Sequence, residues 1–102
     1  MGEFVRVADA AEIGENDLAA FEVGGEHIAV ANVGGVLHAF DNTCTHRQCF
    51  LALGELEGSV VTCPCHGSQF DVTTGEVLRG PALEPVRSYA ARVEDNALQV
   101  EL

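Results

Sequence analysis

All four cysteines of this chain, and two of its four histidines, lie between residues 43 and 75. Five of these six residues fall in two short runs, Cys44-Thr45-His46 and Cys63-Pro64-Cys65-His66, and Cys49 stands just after the first. Two soft thiolates and two imidazoles, delivered in pairs from two loops, suit a mixed Cys/His iron–sulfur site or a zinc site. A chain with such a site must hold two loops face to face. The remaining sequence reads as a small β scaffold that does so.

The spacing within each run selects the ligands. Cys44 and His46 are separated by one residue, so both side chains can point to the same side of a loop. In the second run, either Cys63 or Cys65 can be the companion of His66. Adjacent residues such as Cys65 and His66 rarely converge on one site without strain. Cys63 and His66 chelate comfortably around a turn that Pro64 stiffens. The expected ligand set is therefore Cys44, His46, Cys63 and His66. Cys49 and Cys65 remain, each just beyond the metal-facing part of its loop, and a disulfide between them is the economical reading. A framework of two disulfides would leave the paired histidines without a purpose and sits badly with a chain expected in a reducing compartment. His27 and His38 lie far from any cysteine in sequence and read as structural or surface residues.

The scaffold is legible in its turns. Glu3 to Ala8 looks like a first strand, and Asp9 with Glu12 has the form of a capping box before a single helical turn. Leu18–Val23, His27–Asn32 and Val36–Phe40 form an expected meander, joined by Gly24-Gly25 and Gly34-Gly35, both strong hairpin signals. Ser88–Glu94 and Ala97–Leu102 flank Asp95-Asn96, a further hairpin. Along the last strand Leu98, Val100 and Leu102 alternate with Gln99 and Glu101, so one face is buried and one is wet. Within residues 43–80, Gly54–Gly58 reads as a turn, Ser59–Thr62 and Gln69–Val72 as strands, and Thr73-Thr74-Gly75 as the turn into Glu76-Val77-Leu78. No segment has sustained helical periodicity. The expected architecture is all-β: one domain over residues 1–102, a small antiparallel barrel or sandwich, with a metal-binding insert at about 43–80.

Composition sets limits on function. The 102 residues suffice for one core. No apolar run approaches the roughly 20 residues of a membrane helix, and the opening Met1-Gly2-Glu3-Phe4 has no secretory pattern, so a cytoplasmic protein is expected. Sixteen acidic and five basic side chains give a formal charge of −11, which speaks against nucleic acid as a partner. The same charge suits steering toward a basic docking face.

The pattern Cys44-Thr45-His46, sixteen residues, then Cys63-Pro64-Cys65-His66-Gly67-Ser68 closely resembles the signature of Rieske iron–sulfur proteins. Phe70-Asp71 and Thr74-Gly75 continue the likeness, and Gly80-Pro81-Ala82 looks like the proline-bearing third loop of the Rieske fold. Length and closing hairpin are similar to soluble Rieske ferredoxins. The resemblance implies one [2Fe–2S] cluster, with Cys44 and Cys63 on an inner iron and His46 and His66 on an outer iron near the surface. Neutral imidazoles in place of two thiolates raise the potential above that of all-cysteine clusters.

Oxygenase ferredoxins of this kind usually lack the two extra cysteines, which look instead like those of quinol-oxidising bc complexes. In the bc type a serine and a tyrosine two residues later donate hydrogen bonds to the cluster. Ser68 matches the serine, whereas Phe70 stands at the tyrosine position without a donor. The resemblance thus implies a reduction potential between the low ferredoxin type and the high bc type. Arg47 and Gln48 stand where bc proteins carry small apolar residues, which argues against quinol oxidation. The function it implies is electron carriage, not catalysis, from a flavin-dependent reductase to a terminal ring-hydroxylating oxygenase through transient contacts. Two alternatives are a Rieske subunit of a larger oxidoreductase, arsenite-oxidase-like or quinol-oxidising, and a structural zinc module.

Overall fold

The computed structural model describes residues 2–45, 49–65 and 67–102. Among them, eleven strands form three antiparallel sheets. The first sheet has the order β1 (Phe4–Asp9), β11 (Ala97–Glu101), β10 (Ala91–Glu94). The second has β2 (Leu18–Val23), β3 (Glu26–Val33), β4 (Val36–Asp41) and β9 (Ser88–Tyr89), in that order. The third is a meander of three-residue strands: β5 (Glu55–Glu57), β6 (Val60–Thr62), β7 (Gln69–Asp71) and β8 (Val77–Arg79). No helix among the described residues is long and apolar enough to cross a membrane.

Turn chemistry sets the registers of the scaffold. Gly24 and Gly25 have φ of 58° and 83°, and Gly34 and Gly35 have 60° and 93°. Two successive positive φ values make the tight turns whose twist matches that of paired strands, and glycine adopts them without a Cβ clash. Asp95 and Asn96 make the same kind of turn at 51° and 63°, using side chains that tolerate the left-handed region better than most. The capping-box expectation has a counterpart in a 3-10 turn at Ala10–Glu12, where the Asp9 N–H donates to Glu12 Oε2 at 3.1 Å.

β3 is the central wall of the molecule. Ile28, Ala29, Val30 and Ala31 are all fully buried, and successive side chains of a strand point to opposite faces. Ile28 and Val30 join Ala39, Tyr89, Leu98 and Val100 in a core between the first and second sheets. Ala29 and Ala31 join Phe40, Leu51, Val61, Phe70 and Val72 in a second core, between the second and third sheets. Larger side chains fill one face, and the small ones on the other leave room for Phe40, Leu51 and Phe70.

Two expectations need correction, and one element was not foreseen. Ser88–Glu94 is not one strand: β9 pairs with β4 and β10 pairs with β11, so the chain changes sheets at Ala90. Gly54–Gly58 is not simply a turn, because Glu55–Glu57 pairs with Val60–Thr62, and only Gly58, at φ 60°, has the turn conformation. A 3-10 turn at Leu51–Leu53, which the sequence reading did not anticipate, buries Leu51 beneath the first loop.

Candidate metal centre

The two expected ligand runs occupy two loops closed in the same way. The Cys44 N–H donates to the Cys49 carbonyl at 2.9 Å, and the Cys63 N–H donates to the Ser68 carbonyl at 2.8 Å. In each, the first cysteine is tied to the residue five positions on. The Thr43–Phe50 bridge clamps the base of the first loop, and the Thr62–Gln69 pair of β6 and β7 clamps the second.

Cys44 and Cys63 are buried in the same apolar core, beside Leu51, Phe70 and Ala82, and neither belongs to the disulfide. Two cysteine side chains delivered to one core from equivalent points of two loops are a donor pair of the kind that iron or zinc takes. Cys49 and Cys65 are joined, with Cα atoms 6.4 Å apart. The bond links the end of the first loop to the middle of the second. His46 and His66, the other two expected ligands, lie outside the described residues, as do Arg47 and Gln48. Among the described residues no three His, Cys, Asp or Glu side chains converge. The described part of the predicted quartet is its sulfur half.

Ser68 and Phe70 are both fully buried, and their roles differ. The Ser68 Oγ accepts the Ala82 N–H at 3.0 Å. A hydroxyl that accepts through a lone pair keeps its own proton to donate. Phe70 packs in the same core as Cys44 and Cys63 and offers no donor. The Gly80–Pro81 peptide is cis, at the start of the third loop. That loop rests on both others: Ala82 on Ser68 of the second, and the Glu84 carbonyl on Thr45 Oγ1 of the first, at 2.7 Å. Its far end is fixed where the Val86 N–H donates to the Gly75 carbonyl at 2.9 Å. Gly75 sits at φ 84°, and a Cβ there would strike the carbonyl oxygen of Val86.

Sequence reasoning missed Asn42, the buried residue that launches the first loop. Its carbonyl accepts the Leu51 N–H at 2.7 Å, its Oδ1 accepts the Ala52 N–H at 2.8 Å, and its own N–H donates to the His27 carbonyl. The available signal was its place directly after a strand and before the first cysteine, where an asparagine readily bonds nearby backbone.

Three sheets thus hold a pair of matched cysteine loops beneath a proline loop. The Rieske [2Fe-2S] domain family matches residues 3–90. The ferredoxin component of a naphthalene 1,2-dioxygenase system from Pseudomonas aeruginosa is 35% identical over 91 residues, 89% of this chain and 88% of that protein. Among solved structures, the ferredoxin of carbazole 1,9a-dioxygenase from Nocardioides aromaticivorans IC177 aligns with a TM-score of 0.91 at 32% identity, over 95% of each chain. A chain in a complex of reduced oxygenase and oxidized ferredoxin of carbazole 1,9a-dioxygenase aligns at 0.90 and 30% identity, over 96% of this chain and 92% of that one. The chain belongs to the Rieske [2Fe-2S] family, and it is a ferredoxin-type electron carrier, not an enzyme in its own right. Its cofactor is a Rieske [2Fe–2S] cluster.

Proposed function

We propose that Cys44 and Cys63 hold the inner iron of that cluster and His46 and His66 the outer iron. Residues 1–102 act as one unit, in the cytoplasm, passing single electrons from a flavin-dependent reductase to a terminal oxygenase of the ring-hydroxylating type. The observation that carries this reading is the pair of buried cysteines outside the disulfide, at equivalent points of two identically closed loops. When bound, the cluster supplies one reversible electron. The protein's own contribution is to fix the two loops, exclude water from the sulfur side, and set the potential. Ser68 has a proton to offer, and Phe70 has none, which supports a potential between those of low-potential ferredoxins and bc-type proteins.

Metal analysis together with an EPR spectrum of the reduced protein tests this reading. Iron with a Rieske-type spectrum is expected; stoichiometric zinc and no signal would replace the carrier with a structural module. With sixteen acidic side chains against five basic, turnover with both partners should slow steeply as salt rises.

A further inference from the structure

The most exposed large apolar side chain of the described protein is Leu83, at 93% of its full accessible surface. It sits in the third loop, between two anchored neighbours. On one side Ala82 is buried and its N–H is bonded to Ser68 of the second loop. On the other side the Glu84 carbonyl accepts from Thr45 of the first loop. Pro81 and Pro85 restrict the backbone further, and buried Val86 pins the exit. A leucine on a floppy loop is ordinary. One held outward by a backbone tied to both cysteine loops is placed to meet something outside the chain.

We propose that Leu83 is the apolar anchor of the docking face for the electron-accepting oxygenase. The fitting partner surface is an apolar socket bordered by arginine or lysine, which would meet Leu83 together with the adjacent Glu84. This rests on the carrier reading above. An apolar side chain entering a fitted pocket at the centre of a small interface carries a large share of its affinity, and electron-transfer contacts are small enough for one anchor to matter. The choice of acceptor over reductase follows from charge. The form that meets the acceptor is reduced and so one unit more negative, and its attraction to a basic rim is the stronger.

The test is stopped-flow reduction of the oxygenase of the naphthalene 1,2-dioxygenase system by the reduced carrier, with ferricyanide as a small-oxidant control. For Leu83→Ala the carrier concentration giving half-maximal rate should rise about tenfold, ~1.4 kcal/mol. Leu83→Met should stay within about twofold of the parent, since the two side chains have similar volume and polarity. Val93→Ala, an exposed apolar residue on a strand outside the cysteine loops, should change nothing. Spectrum, reduction potential and ferricyanide rate should be the same in all four proteins. An unchanged Leu83→Ala alongside an active parent would overturn this inference alone. So would a shifted potential. A parent that reduces ferricyanide but not the oxygenase would overturn the oxygenase reading and the anchor with it.

Discussion

The two cores of this protein are built by different means. Between the first and second sheets, the side chains come almost wholly from strands, and the registers follow from two-residue turns. Between the second and third sheets, the core includes Cys44, Cys63, Leu51 and Ala82 from loops and a 3-10 turn. The strands of the third sheet are only three residues long, too short to define a stable unit by ladder bonds alone. Asn42, Ser68 and Thr45 instead bond side chain to backbone across the loops, and Cys49–Cys65 adds a covalent tie. The first core is a frame made by local rules, and the second is a socket made by long-range ones.

The largest expected effect separates the two. Replacing Cys63 with serine should abolish cluster binding, giving a colourless protein with no bound iron, because metal binding and local folding are coupled at such sites. Amide exchange should then show β5 to β8 unprotected while β3 and β11 stay slow to exchange. Uniform loss of protection would dissolve the distinction between frame and socket.

Deleting core side chains sharpens it. Phe70→Ala and Leu98→Ala each remove a fully buried side chain, one from each core, and should cost about 3–5 and 2–5 kcal/mol respectively. In thermal scans Phe70→Ala should bleach the cluster well before the far-UV signal melts, whereas Leu98→Ala should lower both transitions together. The disulfide comes next. Its cysteines are 16 residues apart, and by the chain-entropy account a loop near that length is worth ~3 kcal/mol. A Cys49→Ser/Cys65→Ser double variant should lose about that much in urea titration, with the loss again seen first in cluster absorbance.

The same division explains what could be read in the sequence. The frame is legible because Gly24-Gly25, Gly34-Gly35 and Asp95-Asn96 announce their turns locally. Even so, the break at Ala90 was not, since which sheet a strand joins is a matter of tertiary pairing. β5 was hidden because Glu55-Leu56-Glu57 is short and bounded by glycines, and its only strand signal is one alternation. In the socket, residue types named the cysteine loops, and Cys49–Cys65 followed from what was left over. The Ser68–Ala82 and Thr45–Glu84 bonds were invisible, being 14 and 39 residues apart in sequence. Asn42 could have been suspected from its position, though not the three backbone contacts it serves.

Ser68→Ala should separate the hydroxyl's two jobs. Loss of the acceptor leaves the Ala82 N–H buried and unbonded, which costs about 1–3 kcal/mol. Loss of the donated proton should lower the reduction potential, by on the order of 50 mV if ~1 kcal/mol of preference for the reduced state disappears, at 59 mV per tenfold. Phe70→Tyr should move the potential the opposite way. If Ser68→Ala lowers stability with no change in potential, the serine belongs to the architecture of the socket and not to its tuning.

The smallest effect lies in the frame and appears only in alkali. Tyr89 is the single tyrosine, buried between the first two sheets. Burial pushes its phenol above the ordinary value of 10.0, and Glu26 and Asp41 push the same way, against Arg87, whose guanidinium lies 4.8 Å from the ring centre. Because the folded value is the higher one, the native state holds its proton where the unfolded chain has released it. The stabilisation is therefore complete below about pH 10 and is lost as pH rises through the folded value. Tyrosinate absorbance should titrate above 10 in the folded protein, and Tyr89→Phe should remove that component of alkaline unfolding. Cluster absorbance at moderate alkalinity should be the same in parent and variant. A Tyr89→Phe protein whose cluster is lost at a lower pH than the parent's would show that β9, through its pairing with β4, transmits frame stability directly to the socket.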